Sequence, residues 1–240
     1  MASGDNIFRF KEFSVIQQKS AMKIGTDGVL LGAWASGGKP LNILDVGAGT
    51  GIISLMLAQR FQDAVITGIE VDADAAVECR NNFETSEWSS RLNVVNTDFA
   101  FFDSADIKFD LIVSNPPFFA NGIKAPDSGR ALARHSSENL SPEKLLEKGV
   151  SLLSGNGCIS MIVPAEYEEN LIFKATLLKF SVSRITRVAS KEGKPPVRIL
   201  IEFTNLPKGA PVISSLSIRG IGNCFSEEYV NLTKDFYINF

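Results

Sequence analysis

The stretch DVGAGTG, Asp45 to Gly51, constrains this chain more than any other. It follows a short apolar run, Leu41 to Gly47 including its own first residues, and it opens a helical pattern over Thr50 to Phe61. Glycines at 47, 49 and 51 let a backbone turn sharply and come close to a ligand. The helix beyond them offers N–H groups with no partner inside the helix. A tight strand–helix turn with no ligand would use the same glycines.

The rest of the chain alternates in the same way. Further strand-like runs cover Ala64–Asp72, Arg91–Asp98, Phe109 to Asn115, Gly157–Pro164, Ser183–Ser190 and Val197–Phe203. Helical patterns cover Ala73–Trp88, Pro142–Leu153 and Glu166–Phe180, with Ser141 placed to cap the second of these before Pro142. Such alternation predicts an α/β fold with a parallel sheet and helices on both faces. The last two strands are joined by KEGKPP alone, which makes them an antiparallel pair at one edge. The expected sheet is therefore seven-stranded and mostly parallel. Residues 1–40 hold a strand-like start and a helix near Asp27–Trp34; residues 213–240 add a short strand and a helix. With no linker in sight, a single domain over 1–240 is expected.

Composition narrows the class. A chain of 240 residues buries a sizeable core. A net charge of −3 excludes a uniformly basic protein but leaves room for a local basic face. Cys79, Cys158 and Cys224 are far apart and form no CxxC, so no metal is expected and a reducing cytoplasm is. No apolar run reaches the roughly 18 residues of a membrane span. No surplus apolar stripe asks for an interface, so a monomer is expected.

The spacing G-x-G-x-G departs from the G-x-G-x-x-G of dinucleotide sites. Asp45, before the turn, would repel a pyrophosphate and welcome a cationic amino group. Glu70 ends the second strand about twenty residues later, with Val71 after it, and an acid there accepts both hydroxyls of a ribose. Asp98, at the end of the third strand, suits an adenine amino group, with Phe99 beside the ring; a turn or cap role is the alternative for Asp98. An adenosyl group with an amino-acid tail and no phosphate is S-adenosylmethionine, the expected cofactor.

The fourth strand ends in SNPPFF, Ser114 to Phe119. Two prolines lack backbone N–H groups and hold φ fixed, so neither helix nor ladder continues through them. DVGAGTG, Glu70, Asp98 and NPPF occur in the order and spacing of the Rossmann-like S-adenosylmethionine-dependent methyltransferases, which this chain resembles. The tetrad [DNS]-PP-[YFW] marks members that methylate a planar amide or amino nitrogen. The resemblance implies catalysis by Asn115, Pro116, Pro117 and Phe118. The Asn115 side chain and the Pro116 carbonyl accept the amine's N–H bonds and stabilise the charge that grows on nitrogen. Phe118 stacks on the base, Phe119 lines the pocket or supports Phe118, and Asn115 also borders the cofactor.

FRFKEFSVIQQKSAMKIGTDGVLLGAWA, Phe8 to Ala35, together with NPPFF and the tail FSEEYVNLTKDFYINF, resembles the bacterial valine-tRNA adenine-N6 methyltransferases. These act on adenine 37, in the anticodon loop. The resemblance spans nearly the whole chain, with Phe118 where many relatives carry Tyr. It implies that residues 1–40 cap the cofactor, with Lys23, Thr26 and Asp27 near its methionine end. Thr26 or Asp27 as the N-cap of the following helix is the alternative. Two basic stretches suit the phosphates around a splayed base: Lys124, Arg130, Arg134 and His135, and then Arg184, Arg187, Lys191, Lys194 and Arg198, where Glu192 is the only acid in the local sequence. The anticodon stem-loop of a tRNA is the expected partner. Competing readings are a guanine-N2 rRNA methyltransferase, a protein-glutamine methyltransferase, and a non-catalytic RNA-binding module on the same fold.

Overall fold

The computed structural model describes residues 6–20, 23–117, 140–206 and 209–240. A hairpin of β1 (Ile7–Arg9) and β2 (Ser14–Ile16) precedes α1 (Thr26–Trp34). The sheet-forming part follows: β3 (Asn42–Val46), α2 (Ile52–Arg60), β4 (Val65–Glu70), α3 (Ala73–Glu84), β5 (Leu92–Asn96) and β6 (Phe109–Ser114). Then come α4 (Pro142–Leu152), β7 (Leu153–Pro164), α5 (Glu168–Leu177), β8 (Ser181–Lys191), β9 (Pro196–Thr204), β10 (Val212–Arg219) and α6 (Glu227–Thr233).

The strand order is β10-β8-β9-β7-β6-β3-β4-β5. From β3 the chain moves outward through β4 and β5, then returns to β6 on the other side of β3. That reversal opens a crevice outside the carboxyl ends of β3 and β6, where open α/β sheets bind ligands. Side chains alternate between the two faces along each strand. On β3, Ile43 joins the layer under α1, α2, α3 and α6, with Leu30, Leu55 and Phe83. Its neighbour Leu44 joins the opposite layer with Leu145, Leu146 and Leu171 of α4 and α5. Both are fully buried, which explains why β3 reads as a continuous apolar run.

Local signals hold the helices in place. Asp72 caps α3 by accepting from Ala75 N–H at 2.8 Å. Ser141 caps α4 from Lys144 N–H at 3.2 Å, with Pro142 in the first turn, as the sequence predicts. At the other ends, Arg60 donates to the carbonyls of Gly32 and Ala35 and closes α1.

Among the described residues the sheet has eight strands, one more than the seven expected. β9 runs antiparallel to both β7 and β8, so the antiparallel pair exists. It does not form the edge. β10 covers β8 in parallel, from Val212 opposite Arg184 to Arg219 opposite Lys191. β8 carries the buried Ile185 and Val188 and would otherwise leave its backbone groups unpaired at an open edge. Nothing local in the tail sequence declares which strand it will cover.

Candidate active site

The carboxyl ends of β3, β4, β5 and β6 meet at one place. After Val46 the backbone takes positive φ at Gly47 (77°), Gly49 (55°) and Gly51 (81°). The N–H groups of Gly47 and Ala48 both donate to the Ile69 carbonyl at 2.9 Å, which ties the turn to the end of β4. The glycines serve different ends. A Cβ on Gly51 would lie 2.5 Å from Phe83 Cε1 and 2.9 Å from Cys79 Sγ, so close packing on α3 demands glycine there. A Cβ on Gly49 would meet no atom of the described residues within 4 Å. Only the second points to room for a ligand.

Asp45 is fully buried beneath the turn. Its Oδ2 accepts from the Ser54 N–H at 3.1 Å and the Ser54 hydroxyl at 2.7 Å, bracing the first turn of α2. Its Oδ1 has no hydrogen-bond partner among the described residues. Burial pushes the carboxyl up to about 6, against the two Ser54 bonds, and the nearby Glu70 charge adds to the rise.

Glu70, 9% exposed, accepts from Gly49 N–H at 2.8 Å through one oxygen and from Asp72 N–H at 3.0 Å through the other. Each oxygen keeps a lone pair for a further donor. Burial raises its pKa too. Val71 beside it is 43% exposed. Asp98 Oδ1 accepts from Ala100 N–H at 2.8 Å, so the turn-capping role weighed for Asp98 is real. A cleft of about 260 Å³ of empty space, open to solvent, lies between Gly47, Ile69, Val71, Asp98, Phe99 and Leu140.

Lys148 of α4 was not singled out by sequence. Its ammonium donates to the Ala100 carbonyl at 2.8 Å and the Phe102 carbonyl at 2.9 Å, and it sits 5.2 Å above the Phe99 ring. One side chain therefore holds the short helical turn Phe99–Phe101 that walls the cleft.

Asn115 follows β6. Its Oδ1 is buried and has no hydrogen-bond partner among the described residues. The preceding Ser114 donates its hydroxyl to the Val46 carbonyl at 2.7 Å. Asp45 and Val113 are paired across β3 and β6, so the glycine turn and Asn115 leave the sheet side by side. Pro116 and Pro117 follow within the described residues; Phe118, Phe119, Lys124, Arg130, Arg134 and His135 lie outside them.

The segment before β3 reaches the same region. α1 is capped by Gly25, with no side-chain cap bond, so neither Thr26 nor Asp27 is the N-cap; both lie in the first turn. Lys23 turns its ammonium back onto the Gln17 and Gln18 carbonyls.

The second basic stretch is less available than its sequence suggests. Arg184 bonds Glu202 at 2.9 Å, stacks 3.8 Å from the Trp34 ring centre and donates to the Trp34 carbonyl. Arg187 forms a two-pronged pair with Glu168. Arg198 pairs with Asp27 at 2.8 Å. The local sequence holds Glu192 alone as an acid, but folding brings three more carboxylates to these arginines. Lys191 and Lys194 remain at the β8–β9 turn, on the same end of the sheet as the cleft, with Lys194 exposed.

Residues 23–147 match the family described as methyltransferase small domain. The tRNA1(Val) (adenine(37)-N6)-methyltransferase of Parabacteroides distasonis is 43% identical over 232 residues, 96% of this chain and 97% of that one. The protein of the same name from Tolumonas auensis is 38% identical, over 98% of each chain. Among solved structures, a predicted O-methyltransferase from Agrobacterium tumefaciens superposes with a TM-score of 0.66 at 19% identity, covering 88% of this chain and 96% of that one. The fold is that of the Rossmann-like methyltransferases, and the chain belongs to the small-domain methyltransferases and, within them, to the tRNA1(Val) (adenine(37)-N6)-methyltransferase family.

Proposed function

We propose that this chain transfers a methyl group from S-adenosylmethionine to N6 of adenine 37 in the anticodon loop of valine tRNA. One observation carries the reading: the Asn115 side-chain oxygen is buried, without a partner among the described residues, at the end of β6 beside the glycine turn. A buried acceptor without a donor is costly in a folded protein and asks for a ligand N–H. The names of the curated relatives support the same activity.

The residues present fit the cofactor. Among the described residues Asp45 Oδ1 lacks a partner, Glu70 keeps acceptor capacity, and no atom fills the space over Gly49. With Asp98 these carboxylates favour a cationic ligand over a polyphosphate. Lys23, Thr26, Asp45, Gly47, Gly49 and Gly51 would flank the amino-acid end. Glu70 and Val71 would hold the ribose, Asp98 and Phe99 the adenine, and Asn115 the border with the substrate. When bound, S-adenosylmethionine supplies an electrophilic methyl group on its sulfonium.

The chain's own residues do the rest. The exocyclic amine of adenine is a weak nucleophile, because its lone pair is delocalised into the ring. The Asn115 side-chain oxygen and the Pro116 carbonyl each accept one N–H, which aims the nitrogen and stabilises the positive charge that develops on it. Pro116 and Pro117 stiffen the turn, and the Ser114 bond to Val46 keeps it in register with the glycines. Phe118 stacks on the base and Phe119 supports it. The methylated amine is acidic and gives up its proton to water, so no strong base is required. Lys124, Arg130, Arg134, His135, Lys194 and Arg198 grip the RNA around a base that leaves a single-stranded loop at modest cost. In this reading residues 1–240 work as one cytoplasmic monomer, with 1–40 capping the cofactor and 213–240 closing the sheet.

Methyl transfer from labelled S-adenosylmethionine to unmodified tRNA transcripts tests the reading, followed by digestion to nucleosides. N6-methyladenosine at position 37 of the valine transcript supports it. Methylated guanosine, or a methylated protein glutamine in a parallel lysate assay, overturns the substrate.

A further inference from the structure

Two buried polar residues of α3 lie outside the crevice, and the chemistry above does not use them. Glu78 and Asn82 are 4% and 1% exposed and stand one turn apart on the same helix face. Both are fully engaged: Glu78 with Gln18, Lys19 and Ser20, between β2 and α1, and Asn82 with Ile16, the last residue of β2, and Thr50.

Glu78 Oε2 accepts the N–H groups of Gln18 at 2.5 Å and Lys19 at 2.7 Å. Its Oε1 accepts the N–H of Ser20 at 3.0 Å and the Ser20 hydroxyl at 2.6 Å. Three successive backbone N–H groups thus wrap one carboxylate, the arrangement by which a backbone nest holds an anion. Such charge-assisted bonds are the strong ones. Asn82 treats Ile16 as a strand would: its Oδ1 accepts the Ile16 N–H at 2.8 Å and its amide donates to the Ile16 carbonyl at 2.9 Å. The same amide donates to the Thr50 carbonyl, inside the glycine turn, at 2.9 Å.

The segment is also closed on itself. Gln17 Oε1 accepts the Ile24 N–H at 2.8 Å, and Lys23 caps the Gln17 and Gln18 carbonyls. Beyond it, α1 packs on α2, and a Cβ on Gly28 would be in ordinary contact with Ile52 Cγ2 at 3.5 Å. Ile16 is therefore tied through Asn82 to Thr50, and Gly28 packs beside Ile52, so both meet the C-terminal end of the glycine turn. The ribose and adenine groups of the crevice, Glu70, Asp98 and Phe99, stand at the ends of β4 and β5. The pinned segment borders the turn itself, where the other end of an adenosyl ligand would lie.

We propose that Glu78 and Asn82 are positioning residues, which preform residues 17–20, 23 and 24 as a wall that holds the amino-acid end of the cofactor. The inference rests on the cofactor reading above. Neither residue needs to touch the ligand. Their part is to settle the wall's conformation before binding, so that binding does not bear its ordering cost.

Glu78→Gln is the informative change. The side chain keeps its size, but its amide N–H₂ faces backbone N–H donors that it cannot accept. Two ligands separate positioning from general damage: S-adenosylhomocysteine, and 5′-methylthioadenosine, which shares the adenosine and the thioether but lacks the amino-acid end. In calorimetry, Glu78→Gln is expected to weaken S-adenosylhomocysteine about tenfold or more and to leave 5′-methylthioadenosine within about twofold. In turnover, KM for the cofactor rises while kcat at saturation holds. Glu78→Asp, which keeps the charge, recovers part of the loss. Should Glu78→Gln fail to fold, Gln17→Met loosens the same segment from its half-buried rim and is expected to give the same selective loss. Equal weakening of both ligands, or of neither, in a folded variant overturns the proposal. A wild-type protein that binds neither ligand brings down the cofactor reading itself, and the inference with it.

Discussion

The Ser114 hydroxyl donates to the Val46 carbonyl at 2.7 Å, one residue before Asn115 and one residue before Gly47. The bond joins the last residues of two adjacent strands, so the turn that receives the cofactor and the turn that receives the acceptor amine share one anchor. Ser114→Ala leaves the buried Val46 carbonyl without that donor and is expected to cost about 1–2 kcal/mol of stability. It should also lower kcat more than it raises KM, because the relation between the two turns is what loosens. Urea unfolding and steady-state kinetics on the same preparation check both.

Asp45 gives the site a pH dependence. In the folded chain its carboxyl titrates at about 6, against a model-peptide value of 3.8. Between those values the native state holds a proton that the unfolded chain has released. Stability from this group is therefore greatest below pH 3.8 and is lost as pH rises through about 6, on the order of 3 kcal/mol in all. Asp45→Asn should flatten the fall in melting temperature across that window. Affinity for a cationic ligand should run the opposite way in the wild type, rising as the carboxyl ionises, and Asp45→Asn should abolish the rise.

The glycines of the turn separate folding from binding. Gly51→Ala forces a Cβ to 2.5 Å from Phe83 at a φ of 81°, and is expected to destabilise by about 2–4 kcal/mol. Gly49→Ala meets no described atom within 4 Å and bears only backbone strain, about 1–2 kcal/mol. Its larger effect should be on S-adenosylhomocysteine affinity, because the new methyl group occupies the ligand's side of the turn. Thermal melts and calorimetry on the two variants should rank them in opposite orders.

Lys148 holds the wall of the adenine cleft through two carbonyls and the Phe99 ring. Lys148→Met keeps the apolar stem and removes the donors. Affinity for 5′-methylthioadenosine is expected to fall about five- to tenfold, consistent with about 1 kcal/mol for the lost hydrogen bonds.

The arginines of β8 and the lysine of the adjoining turn should behave differently. Arg184→Met strands the buried Glu202 carboxylate and is expected to cost about 2–4 kcal/mol of stability. Lys194→Ala changes an exposed side chain and should leave the melt unmoved. It should weaken tRNA binding and reduce the salt slope of that binding by about one.

These contrasts mark where sequence suffices and where it does not. The strand ends at Asp45, Glu70 and Asn115 were legible because apolar runs stop at glycine, acid or proline within a few residues. Ser141 and Pro142 announced α4 for the same local reason. Pairings at long range left no such trace. Arg184, Arg187 and Arg198 read as a basic stretch because their partners Glu202, Glu168 and Asp27 lie 18, 19 and 171 residues away. Nothing in the local sequence of α3 sets Glu78 and Asn82 apart from exposed polar residues. Their burial depends on a segment nearly sixty residues earlier that folds over them. The edge position of β10 depends likewise on which strand is left uncovered once the others have paired.

The central claim is that Asn115 accepts the reacting amine. Single-turnover methyl transfer to valine tRNA by Asn115→Ala, set beside its S-adenosylhomocysteine affinity, tests that most directly. The account predicts a loss of about a hundredfold or more in rate, in line with removal of one preorganised acceptor, and cofactor affinity within a few fold of wild type. Transfer at the wild-type rate, or a loss explained wholly by weaker cofactor binding, would contradict it.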